Sequence, residues 1–122
     1  MILSVHHVQI IVPRGAEDKA REFYCRVLGL TEISKPDALK DRGGFWLGVG
    51  DRQVHVGVED SIAANRGKAH VAYLVDDIEA SKARLREHEI EITDGIPIPG
   101  YSRFEFRDPF GNRVEFLQAL NR

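Results

Sequence analysis

The order strand, helix, strand, strand, strand can be read twice along these 122 residues, and this internal repeat limits the fold more than any single motif. The first copy opens with Val5 to Val12, a β-branched strand ended by Pro13. Ala16, Ala20, Phe23, Tyr24, Val27 and Leu28 then fall on one helical stripe, with Glu17 and Asp18 at its start and Gly29 as its stop. Leu30 to Ser34 is expected to be a short strand and Lys35 to Gly44 a loop. Phe45 to Val49 and Gln53 to Glu59 read as strands joined by a tight Gly50-Asp51 turn. Asp60 to Lys68 is read as a linker. The second copy runs through Ala69 to Val75, a helix capped by Asp76 or Asp77 and reaching about His88, Ile90 to Thr93, the loop Gly95 to Gly100, and a final hairpin.

Equivalent points fall at nearly constant spacing. His7 and His70 are 63 residues apart; Trp46 and Phe106, Val54 and Val114, and His55 and Glu115 are each 60 apart. The small difference is assigned to a longer strand-to-helix connection in the first copy. A unit of this size cannot bury both faces of its own sheet, so two are expected to pair. The prediction is one α+β domain over 1–122, with modules at about 1–60 and 68–120. The two βαβββ modules form a curved mixed sheet around a cleft, with the helices outside against Val54, Val56, Val58 and their equivalents. The opposite alternation then places His7, His55, His70 and Glu115 on the cleft side.

Hydrophobic content of 43% and charged content of 30% suit a globular protein. A net charge of −2, with no long basic run, argues against a nucleic-acid surface. No apolar run is long enough to span a membrane, and the first residues lack the regions of a signal peptide. The lone Cys25 cannot close an internal disulfide, so a reducing, cytoplasmic setting is expected. Nothing in the sequence places a base beside Cys25, which reads as a helix-face residue.

The final hairpin is the most specific stretch. Phe104 and Phe106 alternate with Glu105 and Arg107, Asp108-Pro109-Phe110-Gly111-Asn112 makes a turn, and Val114, Glu115 and Phe116 resume a strand. This hairpin resembles the last hairpin of the vicinal oxygen chelate superfamily, which includes glyoxalase I, the bleomycin and fosfomycin resistance proteins and the extradiol dioxygenases. His7 in HVQIIV, Phe23, Tyr24, Leu28 and Gly29 as FYxxxLG, His70 in AHVAYLVDDIEA, and Glu115 in RDPFGNRVEF are similar to its motifs in the same order, over nearly the whole chain.

The resemblance implies a divalent metal held by His7, His55, His70 and Glu115, with Glu115 and His55 catalytic. Imidazole and carboxylate without thiolate suit Zn, Fe(II), Mn, Ni or Co. Four ligands on an octahedral ion would leave two positions for neighbouring oxygens of a substrate. His7, His70 and Glu115 alone would resemble a two-His-one-carboxylate triad. The expected activity is lyase, isomerase or oxygenase chemistry on a small molecule. The alternative is a bleomycin-resistance-like protein that sequesters a drug without catalysis.

His55 departs from glyoxalase I, which usually has a carboxylate at this strand position. Gln53, one alternation away, is similar to the glutamine of related epimerases. Trp46, Tyr101 and Arg103 are expected to bind substrate, with Arg42 and Arg107 as further candidates. Glu59 and Glu105 are substitute bases that read more simply as solvated carboxylates, and Gln9 is a supporting partner for a ligand. His6 is expected to be packed or hydrogen-bonded, and His88 to serve the helix dipole. The resemblance also implies a homodimer, with ligands drawn from one chain or two.

Overall fold

The alternating strands of the first copy assemble as β1 (His7–Pro13), β3 (Phe45–Val49) and β4 (Arg52–Glu59), with the short β2 (Thr31–Ile33) at one edge. The second copy supplies β5 (His70–Leu74), β6 (Thr93–Asp94), β7 (Tyr101–Arg107) and β8 (Arg113–Ala119). These assignments come from a computed structural model that describes residues 1–60 and 67–120. The chain divides into two compact units, Met1–Ala63 and Ala64–Arg122. Most of the expected linker lies outside the described residues.

The sheet orders are β1-β4-β3-β2 and β5-β8-β7-β6. In each, the first and last strands of the copy pair in parallel and the remaining neighbours are antiparallel. The expected single curved sheet is therefore corrected to two four-stranded mixed sheets. Among the described residues no strand of one pairs with a strand of the other, so the sheet is not closed. Each sheet buries one apolar face beneath its own helix and satisfies its backbone internally, which removes the need for continuous pairing.

In the first unit α1 (Glu17–Arg21) passes into a π-helical segment, Glu22–Val27, where a regular α-helix was expected. Ala20, Phe23, Tyr24 and Val27 are buried, as are Val12, Phe45, Leu47, Val54 and Val56 on one face of the sheet. The Arg21 guanidinium lies 4.7 Å from the Phe45 ring centre, on that same face. The expected loop before β3 contains a 3-10 turn, Asp37–Arg42.

In the second unit α2 (Ile78–Glu87) starts at Asp77, whose carboxylate accepts the Ala80 N–H at 3.0 Å. Ile78 and Leu85 are buried, with Tyr73, Phe104, Phe106, Val114 and Phe116 on the sheet. His88 caps the helix at its C-terminal end. The expected strand Ile90 to Thr93 is reduced to Thr93–Asp94, while Tyr101 and Arg103 belong to β7. Among the described residues no helix is long and apolar enough to cross a membrane.

The register confirms the repeat and corrects one of its pairs. His7 lies opposite Gln53 and His70 opposite Arg113, so the two histidines are equivalent. Trp46 lies opposite His55, whereas Glu105, not Phe106, lies opposite Glu115. From Glu105 to Glu115 the chain is one residue longer than from Trp46 to His55, and a shift of one residue moves a strand's side chains to the other face. The strand-to-helix connection is not longer in the first copy. β1 itself has seven residues against five in β5.

Candidate functional site

The helix-free face of the first sheet is built around His55. Parallel pairing of β1 with β4 sets Gln9 beside His55, and antiparallel pairing sets Trp46 on its other side. The rings form a stack: Trp46 lies 3.9 Å from His55 at 3°, and His7 lies 4.0 Å from His55 at 16°. His55 is only 5% exposed. Its Nε2 lies 2.8 Å from Gln53 Oε1. That oxygen can only accept, so the hydrogen sits on Nε2 and Nδ1 is the basic nitrogen. Burial holds the His55 pKa below the ordinary 6.5, and the charges of His7, His6 and Lys35 act in the same direction.

Gln9 reaches over Gly57, where a side chain would come within 2.8 Å of its amide nitrogen. Beside the stack is a cleft of about 490 Å³, lined by Trp46, His6, His7, Gln9, Lys35 and Arg42 among others. His6 and His7 approach through their Nδ1 atoms at 3.0 Å. His6 is thus hydrogen-bonded, though exposed rather than packed.

The equivalent face of the second sheet is an ion-pair lattice. Register puts Glu105 directly opposite Glu115, a like-charge pair that is unfavourable unless it is neutralised. Two arginines do this. Arg103 donates from Nε to Glu115 Oε2 at 2.7 Å and from Nη2 to Glu105 Oε2 at 3.0 Å. Arg113 forks onto Glu105 at 2.9 and 2.6 Å. Arg103 Nη1 also donates to the Ile96 carbonyl at 2.7 Å, with its guanidinium lying over Gly95, where a side chain would collide. Arg103 holds the Glu115 carboxyl below the usual range, and Arg113 does the same for Glu105. Glu105 is therefore a half-buried ion-pair member, not the solvated carboxylate the alternation suggested.

His70 joins this lattice with both nitrogens facing oxygen. Nδ1 lies 2.8 Å from the Lys68 carbonyl and Nε2 lies 2.9 Å from Glu115 Oε1. A neutral imidazole has one N–H. With Nδ1–H given to Lys68, a cation is required at Nε2, either a proton or a metal. A ligand histidine that donates its other N–H to a backbone carbonyl is a recurrent metal-site arrangement. Neighbouring donors on an ion at ordinary bond lengths also sit about 3 Å apart. His70 and Glu115 are two donors of the types that bind a divalent ion, held together as a hydrogen-bonded pair.

The stacked His7 and His55 rings are nearly parallel, so their in-plane lone pairs do not converge as observed. Among the described residues no group of three or more His, Cys, Asp or Glu side chains is arranged to hold an ion. Tyr101 and Arg103 line a second cleft of about 420 Å³, but the Arg103 guanidinium is already committed to Glu115 and Glu105. Glu59 is exposed at the end of β4. Burial raises the Cys25 thiol pKa, away from a reactive thiolate.

Sequence reasoning missed Arg113, Lys35 and the role of Glu105. Arg103, Glu105, Arg113 and Glu115 share one alternation, a signal that was present in the hairpin. Lys35 carries no such signal, because it precedes a turn without periodicity.

Residues 4–116 match the family model for the Glyoxalase/Bleomycin resistance protein/Dioxygenase superfamily. The chain is 30% identical over 128 residues to the uncharacterized protein YaeR of Escherichia coli, covering 94% of this chain and 95% of that one. It is similar to a solved structure from Bacillus anthracis described as a glyoxalase family protein, with 40% identity, a TM-score of 0.91 and 98% of each chain covered. An antibiotic binding protein from a Streptomyces species, TnmS3, shares the fold at 21% identity and a TM-score of 0.69, with 98% of each chain covered.

Proposed function

This chain belongs to the glyoxalase/bleomycin resistance protein/dioxygenase superfamily, and from that premise we propose that it is a divalent-metal-dependent enzyme acting on a small organic molecule. The observation that carries this reading is His70, which presents Nε2 to Glu115 Oε1 at 2.9 Å while Nδ1 is engaged by the Lys68 carbonyl at 2.8 Å. The ligands in this reading would be His70, Glu115 and His7, with His55 as a further ligand or a base. Those residues come from one chain or from two copies in a homodimer. The ion is Zn, Fe(II), Mn, Ni or Co. When bound, it polarises oxygens of the substrate as a Lewis acid.

The protein's own groups set up that chemistry. The Lys68 carbonyl fixes the His70 tautomer. Arg103 anchors one Glu115 oxygen and leaves the other turned to His70. His55 stays neutral in its apolar stack, with Nδ1 able to take a proton in lyase or isomerase chemistry. Trp46 gives a flat wall against which a substrate can lie.

Metal content of protein purified without chelator, followed by calorimetric titration of Mn, Zn, Ni, Co and Fe(II) into stripped protein, tests the proposal. One ion per chain is expected, lost in His70→Ala and Glu115→Gln. Absence of metal together with no heat and no thermal stabilisation from any of the five ions would sink it. The second reading, sequestration of a drug, is favoured by the Trp46–His55–His7 stack. It predicts binding of a planar antibiotic that is unaffected by chelator.

A further inference from the structure

We infer that the cleft of the first unit seats a small oxyanion, a carboxylate or phosphate group carried by the substrate. This deepens the reading above and rests on it only for the word substrate, because the seat itself lies wholly within the first unit. Its residues come from His6 and the start of β1, from β3 and β4, and from the stretch between β2 and β3 that contains the 3-10 turn.

The charge of this cleft is one-sided. Lys35 and Arg42 line it beside His6 and His7, and among the described residues no aspartate or glutamate does. Lys35 is half-buried and spends one of its three donors on the Gly43 carbonyl at 2.7 Å, which fixes the ammonium in place with donors to spare. Arg42 is exposed and makes no ion pair among the described residues, so its five-donor fork is open.

Two nearby carboxylates are otherwise engaged. Asp37 pairs with Lys40 at 2.8 Å. Glu17 accepts the backbone N–H groups of Gly15 and Gly44, both at 3.1 Å. A cationic concavity in a chain of net charge −2 does not follow from composition. Walls of low polarity such as Trp46 and Leu39 strengthen its attraction for an anion. The oxyanion would sit between the Lys35 ammonium and the Arg42 guanidinium, with the rest of the molecule against Trp46.

Trp46 is the only tryptophan in the chain, so its emission reports on this cleft. The full chain, stripped of metal with chelator, is titrated with lactate, with inorganic phosphate and with lactamide as the uncharged match to lactate. Shifts of the Trp46 indole and of the Gly43 and Gly44 amides by NMR give a second readout. Saturable binding of lactate, phosphate or both is expected, with lactamide at least ~10-fold weaker, and the stronger of the two anions identifies the group. Arg42→Gln and Lys35→Gln each weaken binding about tenfold, the lower range for a charge-assisted hydrogen bond. Arg52→Gln, a like charge change at the β3–β4 turn, leaves it unchanged.

Equal affinity for lactate and lactamide, silence in both readouts, or no effect of either variant in folded protein would overturn the inference. Metal binding is measured separately, so the two ideas fail separately. An ion bound without an anion refutes only the seat, and an anion bound without any ion refutes only the metal.

Discussion

The two helix-free sheet faces share a topology and a register but carry opposite solutions to the same problem. At equivalent points the first has His55, Trp46 and Gln53, and the second has Glu115, Glu105 and Arg113. The first keeps its polar group quiet by stacking and one neutral hydrogen bond. The second crowds two carboxylates together and neutralises them with two arginines. On these two faces, among the points named, only His7 and His70 keep the same residue. The difference teaches that the repeat fixes where a side chain points, while each copy chooses its chemistry locally. A neutral ring stack leaves room for a cleft, and an ion lattice holds a carboxylate rigidly.

The largest expected effect tests whether the faces opposite these, against the helices, serve alike. Phe104 is fully buried, with the Phe116 ring 5.6 Å and the Phe106 ring 6.0 Å away. Phe104→Ala should cost about 3–5 kcal/mol by urea unfolding, and Leu47→Ala in the first unit about 2–5 kcal/mol. A loss below ~1 kcal/mol for either would break the comparison, because that face would then not be a core.

Acid separates the two polar faces. The lowered pKa values of Glu105 and Glu115 mean that the folded form releases these protons more readily than the unfolded chain. Their stabilisation is fully present above the ordinary 4.5 and is lost as pH falls through the lower folded values. His55 has its window higher. Its folded pKa lies below the ordinary 6.5, so the unfolded chain binds a proton first and stability begins to fall as pH drops below 6.5. Thermal melts in chelator from pH 8 to 2.5 should show two steps of loss. His55→Gln should remove the upper step and Glu105→Gln should flatten the lower one. A single step unaffected by His55→Gln would mean that the stack does not exclude the imidazolium.

Much of this was legible because strand alternation is a physical constraint on every residue at once. His7, Trp46, His55, His70, Glu105 and Glu115 fall on their faces as period two requires. The Asp108 turn formed for the expected reason: its carboxylate accepts the N–H groups of Phe110 and Asn112, both at 2.8 Å, and Gly111 takes φ 94. What was not legible depends on register and on long side chains. One extra residue between the paired points moved the partner of Trp46 from Phe106 to Glu105, and nothing in a spacing of 60 shows that. Arg103 looked free because one carboxylate partner, Glu115, is brought to it only by cross-strand pairing, and the other, Glu105, shares its face two residues on in the same strand. The π-helical stretch Glu22–Val27 has the same apolar stripe as an α-helix, so periodicity does not distinguish them.

The smallest effect concerns one hydrogen bond. Gln53→Leu removes the acceptor at 2.8 Å from His55 Nε2 and keeps the side chain's bulk. The cost should be about 1 kcal/mol, the net worth of a half-buried hydrogen bond. The consequence for His55 is larger than that figure, because Gln53 alone selects which nitrogen is basic. Nitrogen-15 shifts of His55 should show hydrogen on Nε2 in the wild type and a mixture of tautomers in Gln53→Leu. Loss of turnover with substrate binding kept would assign His55 Nδ1 to proton transfer. Loss of metal affinity instead would make His55 a ligand whose geometry Gln53 holds. If neither tautomer nor activity moves, the ring stack with Trp46 and His7 alone orients His55, and the first face needs no polar partner at all.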